Sequence, residues 1–327
     1  MERGANVVRW GILGCGKIAH KFAQDLLTVS NARLEAVASR SAAKSATFAE
    51  RYLTNVSYDS YVSLCQDPCV DVVYIATPHA FHFEHSMLCL QHEKAVLCEK
   101  PFALNVQEVQ QMIALAKEKN VFLMEAMWTL FLPHFEYVLK LIASKELGAI
   151  TQLKADFGYP FDFDPNSRIY NKSLGGGSLL DIGIYPVMAA LNMLGVPDEI
   201  EASAQMTSTD VDESCSMQFK YKNGVSAVLF SSIFERTNTE AVVTFEKGTV
   251  TIHSRFHQPS HVTVTKGKEV IEKEFQVSTN GYSYEAEHVT TLLLDGIKES
   301  PVMTFDRSLQ LIQTLDEIRA KIGLTYR

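Results

Sequence analysis

In the first third of the chain, short apolar runs at 7–12, 34–39, 71–76, 94–98 and 121–125 alternate with stretches near 16–27, 42–52, 58–66, 80–91 and 105–119. In those stretches apolar residues recur at helical spacing. Strands that are apolar throughout are buried on both faces, and a helix between successive strands makes the connections parallel. The pattern predicts a doubly wound α/β sheet with helices on both sides. After Trp128 the rhythm changes: a helical stretch at 133–146 precedes a strand-like run at 149–158, and a glycine-rich loop leads into a helical pattern over 178–194. From 199 to 277 apolar and polar residues alternate, most clearly over Ser214–Tyr221, Val225–Phe234, Glu240–Phe245, Thr249–His253 and His261–Thr265. Alternation with period two sets one face of a strand on a core and leaves the other open. Asn223-Gly224 and Lys247-Gly248 supply hairpin turns between these strands. Closing helices are expected at 284–296 and 306–322. Two domains follow, an α/β domain over 1–125 and an α+β domain over 126–327 with a mainly antiparallel, open-faced sheet.

Composition narrows the class. The 327 residues are 46% apolar and 21% charged, enough for two ordinary cores with a solvated surface. A formal charge of −8, with no basic run, argues against a nucleic-acid partner. No apolar segment of membrane-spanning length stands out, and the amino terminus lacks a signal-peptide pattern, so no membrane partner is expected. The six cysteines (15, 65, 69, 89, 98, 215) show no C-x-x-C pairing. Reduced thiols in a cytoplasmic protein, without structural zinc, are the expectation.

The most informative local pattern is Gly14-Cys15-Gly16-Lys17-Ile18-Ala19, which joins the first apolar run to the first helical stretch. It is the G-x-G-x-x-A turn of a dinucleotide-binding βαβ unit. Gly14 permits the tight turn, Gly16 lets the backbone approach a pyrophosphate, and Ala19 lets helix and strand pack closely. The phosphates would meet main-chain N–H groups of Cys15 to Ile18 and the positive end of the helix. The second strand selects the dinucleotide. NAD enzymes place an acidic residue at its carboxyl end for the ribose hydroxyls. Here Ser39-Arg40-Ser41 stands at that end, and Glu35 lies about 16 Å back along the strand. A guanidinium fork suits a 2′-phosphate, so NADP(H) is favoured over NAD(H). The alternative is that Arg40 is an ordinary solvated charge.

Three further clusters carry chemistry. Thr77-Pro78-His79, with His82, follows the strand ending at Ile75, and Glu99-Lys100-Pro101 ends the next strand. Loops at that edge are where open α/β sheets bind ligands, so Thr77, Pro78, His79, His82, Glu99 and Lys100 are cofactor-side candidates. Pro101 holds Lys100 in an extended conformation and allows a cis bond. Gly175-Gly176-Gly177 leads to Asp181-Ile-Gly-Ile-Tyr185, which brings Asp181 and Tyr185 to one face if 178–194 is helical.

Together these motifs, in this order over nearly the whole chain, resemble the Gfo/Idh/MocA oxidoreductases. The resemblance implies an amino-terminal Rossmann domain, a carboxyl-terminal domain whose open sheet makes a homodimer, and hydride exchange between a nicotinamide cofactor and a sugar, polyol, dihydrodiol or dicarbonyl. It places His79 beside the nicotinamide and His82 and His85 on the following helix, so this histidine run is not expected to hold a metal. Many relatives carry His where this chain has Tyr185. That tyrosine, with Phe122–Thr129 (Phe-Leu-Met-Glu-Ala-Met-Trp-Thr), singles out one branch of the family.

Oxidising a secondary alcohol requires a hydride acceptor and a group that takes the hydroxyl proton. Tyr185 is the acid–base candidate: a phenol ionises near 10, and a neighbouring ammonium from Lys100 would favour its anion. Lys100 would also stabilise the developing charge on oxygen, and Asp181 could orient Lys100 or the substrate hydroxyl. Trp128 and Arg168 are pocket candidates, while Phe157 and Phe161 suit the pocket and the core equally. The structural alternatives are a core tyrosine, a surface lysine and a helix-start carboxylate. A second functional class, a non-catalytic dinucleotide sensor on the same fold, would typically lack the lysine or the acid–base residue that this chain keeps.

Overall fold

In the computed structural model, which describes residues 7–326, the early apolar runs become β1 (Val8–Leu13), β2 (Ala32–Ala38), β4 (Val72–Ile75), β5 (Ala95–Glu99) and β6 (Leu123–Ala126). A short β3 (Val56–Tyr58), with no apolar run to announce it, pairs with β2 at the sheet edge. All pairings are parallel, in the order β3-β2-β1-β4-β5-β6. That order reverses between β1 and β4, and ligands of doubly wound folds bind at the carboxyl ends beside such a switch point. The connecting helices are α1 (Lys17–Leu26), α2 (Ala42–Tyr52), α3 (Tyr61–Gln66), α4 (His82–Gln91) and α5 (Val106–Lys119). Side-chain caps start three of them: Ser41, Ser60 and Asn105 accept from Lys44, Ser63 and Glu108 amides.

The chain forms two compact units. One runs to Trp128 and includes Ser278–Leu309; the other is Thr129–Val277 with the chain from Gln310 on. The expected division at 125/126 followed chain order, whereas the segment from Ser278 returns to the first unit. Asp25, buried on α1, explains the return. Its carboxylate accepts from the amides of Asn280, Tyr282 and Ser283 and from Asn280 Nδ2, at 2.7–3.1 Å. Trp10 Nε1 on β1 also donates to Thr290 Oγ1 at 3.2 Å. A buried carboxylate with four donors is well satisfied, and its partners are 255 to 258 residues away.

In the second unit, α6 (Pro133–Ser144) and α7 (Ile184–Leu194) cover one face of an eight-stranded sheet. Its strands are β7 (Ile150–Gly158), β8 (Glu199–Met206), β9 (Asp212–Lys220), β10 (Ser226–Ser232), β11 (Ala241–Phe245), β12 (Gly248–Ile252), β13 (Val262–Lys266) and β14 (Glu269–Lys273). The spatial order is β14-β13-β12-β11-β7-β10-β9-β8. All pairs are antiparallel except β7 with β10, which run parallel with Gln152 opposite Ser226. Parallel neighbours need a long connection, and α7, β8 and β9 provide it. α8 (Ser283–Leu294) and α9 (Phe305–Ile322) complete the order.

Lys172–Leu194 corrects the expectation that no apolar stretch reaches membrane-spanning length. It qualifies by length and composition, with a mean hydropathy of 1.4, but 89% of its most apolar window is buried. It is therefore a core segment of the second unit, in which a glycine-rich loop runs into α7. The six cysteines stand as thiols, with the Cys65 and Cys89 sulfurs 3.4 Å apart.

Candidate active site

Along the carboxyl edge of the parallel sheet, β1 ends in the glycine turn. Gly14 has φ +103°, and a Cβ there would stand 3.0 Å from the Ala76 carbonyl oxygen. Both the dihedral and the close approach require glycine. Gly16 differs. A Cβ would meet nothing nearer than Ala76 O at 3.9 Å, so the protein leaves open the space that the glycine keeps clear. Gly16 is the N-cap of α1 without a side-chain cap, which leaves first-turn N–H groups, including those of Lys17 and Ile18, facing outward. This cradle fits a dinucleotide pyrophosphate. Cys15 is half-buried in the same turn, and burial pushes its thiol up to about 11. The thiol is therefore protonated at neutral pH and a weak nucleophile.

After β2, Arg40 is exposed and its guanidinium lies 5.7 Å from the centre of the Phe81 ring. Glu35, the acidic residue nearest in sequence, is buried and engaged by Arg33 and by Asn55 Nδ2, the latter at 2.7 Å. Ser39, a cofactor-side candidate, is buried, and its hydroxyl oxygen accepts the Ser41 amide at 3.3 Å.

After β4, Thr77 and Pro78 are half-buried at the edge, and His79 is buried with its ring edge-on to His82 at 5.8 Å. His82 is held between two main-chain carbonyls. It is fully buried, with Nδ1 2.7 Å from Pro101 O and Nε2 2.8 Å from Thr77 O. A neutral imidazole donates only one of these bonds, and burial pulls His82 down to about 4. The ring therefore joins the two loops rather than lining the surface. The Lys100–Pro101 peptide is cis, and Lys100 is half-buried at the end of β5. Glu99 beside it is buried, accepting from Tyr74 Oη at 2.5 Å and from the Lys100 amide at 3.2 Å. Trp128, expected in the pocket, is buried and stacks face to face on Tyr282 at 4.2 Å.

Beneath the Lys100 loop, Glu125 on β6 accepts the Phe102 amide at 3.0 Å. Burial raises its carboxyl to about 7. A carboxyl raised in the folded state contributes stability that is full below the unfolded value near 4.5 and is lost as pH rises through 7. The loss corresponds to about 3 kcal/mol. His82, His85 and His134, all lowered to about 4 by burial, act oppositely, losing their contribution as pH falls from 6.5 toward 4. The unfolding free energy of Glu125→Gln minus that of the native chain should therefore rise between pH 5 and 8. Urea unfolding at both pH values checks this, and a constant difference would show that Glu125 ionises normally.

In the second unit, Leu179–Gly183 forms a widened π turn that runs into α7. Asp212 Oδ2 fixes the start of that turn, accepting from Ser178 Oγ at 2.7 Å and from the Leu179 amide at 2.6 Å. Gly177, with φ +113°, leaves room for this: its Cβ would lie 2.1 Å from Asp212 Oδ1. Burial raises Asp212 to about 6. The turn carries Asp181, which is buried and paired twice with Arg168, Nη1 to Oδ1 at 2.9 Å and Nη2 to Oδ2 at 3.3 Å. Sequence reasoning assigned Asp181 to Lys100 or to substrate and did not foresee this pairing. Tyr185 is buried with its ring 4.8 Å from His257 and 5.8 Å from Phe157, and these two rings stack at 4.2 Å. Phe161 packs on the cluster of Ile169, Tyr170, Ile182 and Ile233. His257, Asp212 and Tyr282 were missed because nothing in their local sequence marks them.

Comparison with known proteins agrees with this fold. The model of an oxidoreductase family with an NAD-binding Rossmann fold matches residues 8–127. A GFO/IDH/MocA C-terminal domain model matches residues 135–251. A trans-1,2-dihydrobenzene-1,2-diol dehydrogenase of Xenopus tropicalis is 36% identical over 332 residues, covering 97% of this chain and 99% of that protein. This is the branch that Tyr185 and Phe122–Thr129 singled out. Among solved structures, an aldose-aldose oxidoreductase from Caulobacter crescentus complexed with glycerol superposes with a TM-score of 0.88 at 26% identity, covering 97% and 98% of the two chains. A 3-ketoreductase from Actinomadura kijaniata, in complex with NADP and TDP-benzene, shares the fold with a TM-score of 0.88 at 24% identity and the same coverage.

Proposed function

The chain belongs to the Gfo/Idh/MocA oxidoreductase family, and from that premise we propose that it transfers a hydride between NADP(H) and a secondary alcohol or carbonyl of a sugar, polyol, dihydrodiol or dicarbonyl. The observation that carries this reading is the order of groups along one sheet edge: an open glycine cradle after β1, Arg40 after β2, Thr77 to His79 after β4 and Lys100 after β5. The cradle from Gly14 to Ile18 would hold the pyrophosphate and Arg40 the 2′-phosphate; Thr77, Pro78, His79 and Lys100 would flank the nicotinamide. When bound, that cofactor supplies the hydride acceptor or donor. Lys100 stabilises negative charge on the substrate oxygen, and Tyr185 takes or returns the hydroxyl proton. Arg168 pairs with Asp181 and orients it, so that this carboxylate orients the substrate or Lys100. The polar groups of Arg168 and Asp181 suit a polyhydroxylated substrate. The preference for NADP(H), a cytoplasmic location and a homodimer built on the open sheet face belong to the same proposal. The half-exposed Val228 and Phe230 on β10 support that face as an interface.

Fluorescence titration with NADPH and NADH tests the cofactor, followed by absorbance assays over pentoses, hexoses, inositols, dihydrodiols and dicarbonyls. Arg40→Ala should raise the Kd for NADPH by about 10–100-fold, the value of one or more charge-assisted bonds, and leave NADH binding unchanged. Equal weakening of both cofactors would remove Arg40 as the 2′-phosphate ligand.

A further inference from the structure

The histidines whose spacing first raised the question of a metal are committed elsewhere: His82 lies between two carbonyls and His85 Nδ1 lies 3.0 Å from Thr77 Oγ1. A different set converges on the outer strands of the second unit. His253 follows β12, His261 precedes β13, and their backbones pair through His253 N to His261 O at 3.2 Å. Cross-strand neighbours share a face, here the face opposite buried Val250, Ile252 and Val262. The two imidazole rings lie 4.1 Å apart with planes 9° from parallel. Glu272 joins them from β14, because Thr263, two residues after His261, sits opposite Glu272 in the ladder.

We propose that His253, His261 and Glu272 form a binding site for a borderline divalent cation of the zinc class. Their ligand atoms all lie within 4.8 Å of one another. A tetrahedral zinc ion with ligands at about 2.0–2.2 Å would draw them together by small side-chain rotations. Two imidazoles with one carboxylate make a donor set that suits zinc, copper or nickel and disfavours magnesium or calcium.

Two surrounding contacts support the assignment independently of the cluster. Thr263 Oγ1 lies 2.6 Å from His253 Nε2 and 2.9 and 2.8 Å from the two Glu272 oxygens. One hydroxyl thus donates to Glu272, accepts from His253 Nε2–H and holds the two side chains together, and the cation would take the place of that imidazole proton. On the other side of the ring, His253 Nδ1 faces Glu240 Oε1 at 3.8 Å. A carboxylate behind the second nitrogen of a ligating histidine fixes its tautomer and raises its basicity. The site also has a mechanical consequence. β14 is exposed at every residue and sits at the sheet edge, paired only with β13. A cation held by His253, His261 and Glu272 would tie β14 to the ends of β12 and β13 and protect that edge.

Isothermal titration of the full-length protein with ZnCl2, with MgCl2 as control, tests the site. One zinc per chain with a micromolar Kd is expected, with no heat from magnesium and with visible d–d absorption on Co²⁺ substitution. His253→Ala and His261→Ala should each abolish binding, and Glu240→Gln should weaken it about tenfold. Circular dichroism of each metal-free variant checks that it is folded. If either histidine variant fails to fold, zinc-dependent protection of His253 and His261 from diethyl pyrocarbonate in the native chain, mapped by mass spectrometry, replaces it. Zinc binding unchanged in both histidine variants, absence of binding at millimolar zinc, or equal carbethoxylation with and without zinc would overturn the proposal.

Discussion

Tyr185→Phe should lower kcat by about 10²–10⁴-fold, the usual contribution of a positioned general acid–base, while Tm and the Kd for NADPH stay close to native values. The substitution is diagnostic because it separates two roles of one side chain. The Tyr185 ring packs against His257 and Phe157, and phenylalanine keeps all of that contact. A tyrosine serving only as core would therefore leave kcat almost unchanged on removal of its hydroxyl. Single-turnover kinetics with the best substrate of the panel would read the chemical step directly. A kcat within about threefold of native, less than 1 kcal/mol in barrier, would transfer the acid–base role to another group.

Lys100→Ala should reduce kcat by about 10²–10³-fold, comparable with deletion of a donor that stabilises developing charge. Cofactor binding should survive, because the glycine cradle and Arg40 lie after other strands. The His82 ring holds the Pro101 carbonyl at 2.7 Å whatever side chain stands at position 100, so the loop backbone should keep its course. Turnover is measured by NADPH absorbance and binding by fluorescence on the same preparation. Retained turnover would remove Lys100 from the chemistry. Loss of NADPH binding along with turnover would recast it as a cofactor anchor. In a non-catalytic sensor, alanine at position 100 would have no rate to abolish, so this variant with its native control also separates the two functional classes.

The elements visible in sequence were those whose signal is local and repetitive. β1, β2, β4, β5 and β6 are buried apolar runs, and β9 to β13 alternate with period two, so residues a few positions apart already specify burial. The glycine turn was visible for the same reason: Gly14 answers to its own φ of +103° and to the adjacent strand end at Ala76. β3 escaped because three residues, two half-buried about an exposed Ser57, are too few to show a period. The grouping of the segment from Ser278 with the first unit had no local sign, because its anchor, Asp25, lies some 255 residues earlier on an ordinary-looking helix.

The site divides in the same way. The amino-acid sequence by itself determined the fold class and the glycine turn after β1, and it supplied Arg40, Lys100, Asp181 and Tyr185 as candidates, since each rests on residue type at short spacing. Only the tertiary structure decided how those groups are held. It made His82 a buried tie between the Thr77 and Pro101 carbonyls, gave Asp181 to Arg168, stacked Trp128 on Tyr282, and placed Asp212 under the Gly177 turn. The physical reason is that a side chain's role follows from the partner it meets. Burial leaves few partners for a polar group, and the partner that folding supplies can lie anywhere in the chain.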